Sequence, residues 1–290
     1  AVNRENGIEF YFDIQTDVGI AIGILVLFLS DTIVLNIALA VISGFIIYEL
    51  FAAEKCFEFK AESITCFIYT VAMQLVMWLE KAMNIDTIWR YLLSITCIFV
   101  LFVIFVLSKK RITFDKFCFM VTTTILVTCS VSCIGVVKGY SDVHGVCYIV
   151  LVLAGAWLGD SGAYFVGTFF GKHKLCPDIS PKKTVEGAVG GIVTTGIIFV
   201  VYAYFYRMVQ LAIGVPDFSV NYIALALVGM MCAVLGMLGD MSASLIKRQN
   251  NIKDYGNLIP GHGGMLDRFD SVLFVAPFLV IVLKFLPVFS

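Results

Sequence analysis

The sequence predicts an all-α, polytopic integral membrane bundle of about nine transmembrane helices. Three observations lead there. Sixty per cent of the 290 residues are hydrophobic, and the mean hydropathy is +0.96. Only 14% are Asp, Glu, Lys or Arg, against roughly 25% in a soluble domain, too few to cover a water-soluble globule. The apolar residues run in continuous stretches of about the 20 residues that a bilayer-crossing helix needs. They do not alternate as they would in a membrane β-barrel. Intrinsic disorder, collagen and a disulfide-stapled mini-domain are excluded on the same grounds.

In chain order the expected spans are roughly 17–30, 33–53, 62–79, 88–107, 116–137, 144–169, 187–209, 221–246 and 271–289. The first is short and divided from the second only by Asp31 and Thr32. Residues 1–16 form a polar N-terminal segment of mixed charge, without the basic-then-apolar order of a cleavable signal. Residues 17–140 hold the N-terminal helices. Residues 141–290 form a C-terminal region in which the chemistry is expected, all within one integral membrane unit.

Orientation follows from the loop cations. Lys109, Lys110 and Arg111 follow the fourth span, Lys172, Lys174, Lys182 and Lys183 the sixth, and Lys247, Arg248, Lys253 and Arg268 the eighth. These even-numbered exits should share the cytoplasmic side, with the N-terminus inside and the C-terminus outside. The balance of 20 basic and 21 acidic residues points to no particular partner, and no nucleic acid is expected. The nine cysteines lack CxxC and Cys/His metal spacings. Cys66, Cys97, Cys118, Cys129, Cys133, Cys147 and Cys232 lie inside apolar runs and read as small residues facing helices or lipid.

Two acids fall inside apolar helices: Asp160 in AGAWLGDSGAYFVG and Asp240 in VLGMLGDMSASLIKR. An intramembrane acid costs at least ~2.5–3.5 kcal/mol on insertion scales. A lysine from another helix could offset that as a structural pair. A functional carboxylate facing a polar cavity is the other reading, favoured by Gly155, Gly159 and Gly162 around the first acid and Gly236, Gly239, Ser242 and Ser244 around the second. Such small residues also let helices pack closely. Asp240, Ser244 and Lys247 fall at i, i+4 and i+7 on one helical face, as do Trp157, Asp160 and Tyr164 at their own spacing.

The stretch KRQNNIKDYGNLIPGHGGMLDRFDS follows. It crowds Lys247, Arg248, Lys253, Asp254, Asp267, Arg268 and Asp270 around Gly261, His262, Gly263 and Gly264. Glycines can bare backbone N–H groups to phosphate oxygens, and carboxylates suit a hard cation such as Mg²⁺. Arg and Lys suit the phosphates that accompany it. A basic connector with a Gly-rich turn is the plainer reading. His262 reads as a phosphate or backbone donor rather than a metal ligand; His144 and His173 read as incidental. In the earlier loop, Ser180, Pro181, Lys182, Lys183 and Thr184 precede Glu186 and Gly187 at a helix start, which attracts anions.

These residues resemble the CDP-diacylglycerol synthases, or phosphatidate cytidylyltransferases. That family's signature S-x-x-K-R-x4-K-D-x-G-x2-I-P-G-H-G-G-x2-D-R-x-D is met by Ser244, Lys247, Arg248, Lys253, Asp254, Gly256, Ile259, Pro260, Gly261, His262, Gly263, Gly264, Asp267, Arg268 and Asp270. A second block, WxxDxxAYxxGxxxGKxxL followed by SPKKTxEG, is met by Trp157, Asp160, Ala163, Tyr164, Gly167, Gly171, Lys172 and Leu175, then Ser180 to Gly187. The resemblance covers about residues 150–275. The polar start departs from the short basic one expected of the family.

The resemblance implies the reaction CTP + phosphatidate → CDP-diacylglycerol + pyrophosphate, in a bacterial inner membrane with the site facing the cytoplasm. It implies Mg²⁺, with either a second divalent ion or K⁺, and a homodimer. GxxxG spacings at Gly19/Gly23 and Gly167/Gly171 would permit close helix contacts. Asp240 and Asp267 are the expected main metal ligands, with Asp270 as a further ligand or support and Asp160 holding metal, water or a polar network. Lys247, Arg248 and Arg268 are expected to hold phosphates, and Ser180, Lys182, Lys183 and Thr184 the triphosphate or lipid headgroup. Ser244, Lys253, His262, Gly263 and Gly264 complete the expected substrate-binding set. Two alternatives remain open: a CTP-dependent polyprenol-type lipid kinase, and an ion-coupled secondary transporter built on Asp160 and Asp240.

Overall fold

In the computed structural model the described residues are 30, 33–108, 111–256, 263–286 and 288–289. The expected first span, with Gly19 and Gly23, lies outside them. So do Asp31, Thr32, Lys109, Lys110 and the 257–262 segment with Ile259, Pro260, Gly261 and His262. The chain is a helical membrane bundle. Its long helices are α1 (Ile33–Ala53), α2 (Lys60–Met83), α3 (Ile88–Leu107), α4 (Phe114–Lys138), α5 (Gly145–Phe170), α6 (Val185–Ala212) and α7 (Tyr222–Gln249). Among the described residues these seven are long and apolar enough to cross a bilayer. They correspond to the second through eighth expected spans.

The last expected span, 271–289, begins earlier than its apolar run suggests. A short helix α8 (Leu266–Phe269) leads into α9 (Val272–Phe285), which carries Pro277. Asp270 and Ser271 between them keep right-handed helical angles. Residues 266–285 therefore form a nearly unbroken rod of about 30 Å at 1.5 Å per residue, and Asp267 and Asp270 are one turn apart on it.

Local signals set the helix starts. Thr184 accepts a hydrogen bond from Gly187 N at 3.2 Å to open α6, and Asn221 accepts from Ala224 N at 3.0 Å to open α7, each satisfying a first-turn amide. The 28 residues of α7 make a rod of about 42 Å, longer than the ~30 Å hydrocarbon layer. Its last two turns carry the polar residues Ser244, Lys247 and Arg248.

One feature departs from an unbroken all-helical reading. Between α5 and α6, β1 (Lys174–Cys176) and β2 (Ser180–Thr184) pair antiparallel, with Lys174 opposite Thr184 and Cys176 opposite Ser180. The turn is closed by Ile179 N donating to Cys176 O at 3.3 Å, with Pro177 in the position where its fixed φ favours a turn. Glu186 locks the base: its carboxylate accepts from Lys172 N at 3.0 Å and pairs with His173 Nδ1 at 2.6 Å.

Helices α5, α6 and α7 pack on one another, α9 lies against α4 and α7, and α1 contacts α2, α4 and α8. Small residues permit the closest approach. A Cβ on Gly191 of α6 would lie 2.5 Å from the Gly159 carbonyl oxygen of α5, and one on Gly239 of α7 2.5 Å from the Asp270 carbonyl oxygen. The glycines around Asp160 and Asp240 thus serve helix packing. Gly167 and Gly171 are also used within the chain, since a Cβ on either would lie 2.8 Å from the Thr184 hydroxyl oxygen. By contrast α3 buries only Cys97 and Leu101, and rings such as Tyr91 and Phe99 are exposed on it, as lipid contact requires. All nine cysteines are free thiols.

Candidate active site

Two charged clusters lie along α7. The first is centred on Lys183 of β2. Its Nζ lies 3.2 Å from Asp160 Oδ1 on α5 and 2.5 Å from Asp240 Oδ2 on α7. The hairpin is what delivers the cation: β2 folds back over the end of α5, so a residue 23 positions after Asp160 reaches it. Burial opposes charge on Lys183, but the two carboxylates outweigh it and hold the ammonium above the usual lysine range. A lysine partner for the two intramembrane acids therefore exists, but it comes from the hairpin and not from another helix, and both acids share it.

Asp270 adds to this cluster. It is buried, within electrostatic reach of Asp240, Asp160 and Lys247. Its Oδ1 accepts from Ser271 N at 2.6 Å, and Ser271 Oγ donates to Gly236 O at 3.0 Å. The contact of Gly239 with Asp270 sets α8–α9 against α7 at this level.

The second cluster is about two helical turns further along α7. Lys247 Nζ donates to Asp267 Oδ1 at 2.7 Å and lies 5.7 Å from the centre of the Tyr255 ring. Asp267 Oδ2 accepts from Tyr255 N at 3.1 Å and Gly264 N at 3.0 Å. Tyr255 is itself buried and donates its hydroxyl to Ala243 O at 2.9 Å; burial raises that hydroxyl well above the usual tyrosine range. Gly263 has φ +81°, a left-handed angle that glycine adopts without the Cβ clash of other residues.

Other expected residues take distinct positions. Trp157 Nε1 donates to Arg268 O at 2.9 Å, which ties α5 to α8. Arg248 Nε reaches Ile179 O at 3.5 Å and so meets the hairpin turn. The Thr184 hydroxyl is engaged in capping α6. Ser180 and Ser244 are half-buried, and Lys182, Lys253 and Arg268 are exposed.

Two residues of α1, outside the second half of the chain where the sequence places the site, also reach it. Glu49 is buried, and its Oε1 and Oε2 accept from Met265 N and Leu266 N, each at 2.7 Å. Glu54 Oε1 accepts from Asn250 Nδ2 at 2.7 Å. The only signal in the sequence was an acid near the end of an apolar run, where a solvated position is the ordinary reading.

Among the described residues no three His, Cys, Asp or Glu side chains converge tightly enough to hold a metal by themselves. The donor chemistry nevertheless fits a hard divalent cation. Asp160 and Asp240, which share the one ammonium of Lys183, and the nearby Asp270 offer carboxylate oxygens. Asp267 fits less well, because both its oxygens already accept hydrogen bonds from Lys247 and the loop amides.

A family model described as "Cytidylyltransferase family" matches residues 13–286. A phosphatidate cytidylyltransferase of Bacillus subtilis (strain 168) is 41% identical over 198 residues, 68% of this chain and 70% of that protein. One of Staphylococcus haemolyticus (strain JCSC1435) is 40% identical over 190 residues, 64% of this chain and 66% of its own length. One of Staphylococcus aureus (strain COL) is 39% identical over 179 residues, 61% of this chain and 65% of its own length.

Proposed function

The chain belongs to the cytidylyltransferase family, and from that premise we propose that it is a membrane-embedded phosphatidate cytidylyltransferase, making CDP-diacylglycerol and pyrophosphate from CTP and phosphatidate. The observation that supports this most directly is the gathering of charges from separate segments onto one stretch of α7: Asp160 and Lys183 beside Asp240, and Asp267 beside Lys247. A kinase or transporter reading leaves this agreement of family and charge pattern unused.

The chemistry asked of the site is attack of one anion on another. A phosphatidate oxygen bonds to the α-phosphorus of CTP, the bond from that phosphorus to the β-bridging oxygen breaks, and pyrophosphate leaves with the electron pair. The attacking phosphate already carries a negative oxygen at neutral pH, so no strong general base is needed. What is needed is positioning and charge neutralisation. Lys247, Arg248 and Arg268 hold phosphates on the loop side. Lys182 and Lys183, with Ser180, hold them on the hairpin side, and Ser244, Lys253, Gly263 and Gly264 line the approach.

Mg²⁺ would be held by Asp240 with Asp160 and Asp270, and when bound it would neutralise phosphate oxygens and favour departure of pyrophosphate. In this reading Asp267 orders the loop and orients Lys247. Lys183 keeps the acids apart from one another's repulsion and turns to phosphate when CTP arrives. The protein is an integral membrane protein; the site faces the cytoplasm of a bacterial inner membrane, where CTP is found, and opens laterally for the lipid. Assembly as a homodimer rests on the family resemblance.

The deciding experiment uses purified protein, phosphatidate and α-labelled CTP. Pyrophosphate release that depends on phosphatidate, with the label entering lipid, is the expected result. Label remaining in CDP while lipid gains the γ-phosphate would identify a kinase instead. Lys247→Ala is expected to raise KM for CTP about 10- to 100-fold, from loss of one charge-assisted hydrogen bond of ~1.5–3 kcal/mol. Unchanged steady-state kinetics would remove Lys247 from the phosphate contacts.

A further inference from the structure

Glu49 is a buried carboxylate for which the transfer chemistry itself has no use. It lies on α1, outside the two signature motifs, and is 3% exposed. Its oxygens accept from Met265 N and Leu266 N, the amides that open α8.

The same carboxylate explains two glycines of the signature loop. A Cβ on Gly264 would lie 2.7 Å from Glu49 Oε2, and one on Gly256 would lie 2.9 Å from Oε1. Glycines on either side of the 257–262 segment thus close on one side chain. Five residues on, Glu54 accepts from Asn250 at the C-cap of α7. Helix α1 therefore grips the loop both where the chain leaves α7 and where it joins α8. Directly beside that second grip, Gly264 N donates to Asp267 Oδ2, and Asp267 Oδ1 receives Lys247. An apolar side chain would fill the same space without the cost of burying a carboxylate. What the carboxylate adds is two acceptors at a fixed separation.

We propose that Glu49 is a positioning residue: it fixes the start of α8, and through it the Asp267–Lys247 pair, before substrate binds. Its consequence for turnover rests on the cytidylyl-transfer reading; its hold on the loop does not. Gly256 and Gly264 leave this carboxylate the room to sit against the loop, whatever phosphate contacts the loop also makes.

The test compares the full-length wild type, Glu49→Gln and Gly264→Ala in lipid nanodiscs by two measurements. The first is amide hydrogen exchange without substrate. Glu49→Gln replaces one acceptor with an NH₂ group that cannot accept from an amide. Met265 and Leu266 are expected to exchange at least about tenfold faster while α5 and α6 keep wild-type protection. The second is turnover with CTP and phosphatidate, where kcat/KM for CTP is expected to fall at least about tenfold. Glu49→Asp, which retains both oxygens on a shorter stem, should recover part of both.

Gly264→Ala, which drives a Cβ into the same carboxylate without removing its charge, should reproduce the pattern. Because Gly264 also lines the proposed approach, exchange at Met265 and Leu266 in this variant, and not its turnover, decides the matter if Glu49→Gln does not fold. Wild-type exchange at 265–266, faster exchange throughout the bundle, or local loosening with unchanged kinetics would each overturn the proposal. Failure of the wild type to release pyrophosphate would instead overturn the assigned reaction and leave the exchange result to judge the hold on the loop.

Discussion

Asp240→Asn is expected to reduce CDP-diacylglycerol formation ~10³-fold, the upper range for removing one electrostatic contact that matters in a transition state. The substitution is nearly isosteric, and Asp240 sits among small residues of α7. The substitution removes one of the two negative charges on Lys183 and one of three anionic oxygen donors around the proposed cation position. Bundle packing should persist, because Gly236 and Gly239 still meet Ser271 and Asp270. The measurement is α-label transfer to lipid over a range of Mg²⁺ concentrations, alongside thermal unfolding. Mg²⁺-dependent turnover near the wild-type rate would remove Asp240 from the reacting centre.

Lys183→Met is expected to have the next largest effect, and a different signature. It leaves Asp160 and Asp240 facing each other without their shared ammonium. Turnover should fall ~10²-fold or more through loss of a phosphate contact. Stability should also fall, by less than the ~3–5 kcal/mol of a fully buried pair, because the Asp160 side chain is 43% exposed and solvent screens it. The repelling acids should then take up a divalent cation more readily than in the wild type. Adding MgCl₂ without CTP should therefore raise the melting temperature of Lys183→Met more than that of the wild type, while NaCl at matched ionic strength should not. Equal Mg²⁺ responses in both proteins would show that these carboxylates are not a cation position.

The bundle was legible because the bilayer imposes a one-dimensional rule. A helix that satisfies its own backbone in lipid must be about 20 apolar residues long, and that length is visible without knowing any contact. Seven described helices fall where the apolar runs lie. The hairpin 174–184 was not legible as strands. Its short, polar, proline-containing sequence looks like a loop, and only its position over α5 and Glu186 at its base make it pair. The last helix begins before its apolar run, because Leu266–Asp270 carries three charges that break the apolar pattern marking a span.

Within the site, residue identity and hydropathy are enough to show which side chains are out of keeping with their surroundings. Asp160 and Asp240 in apolar helices, and the charged glycine loop from Lys247 to Asp270, declare themselves because charge in lipid is costly and must be compensated. Tertiary structure alone decided the compensation. It paired Lys183 with both acids, turned Asp267 toward Lys247 and two loop amides, and brought Glu49 across more than 200 residues of chain to the start of α8. Sequence spacing reports which side chains share a helix face. It carries no information about which face of another helix lies opposite, and that is set by the close glycine contacts between helices.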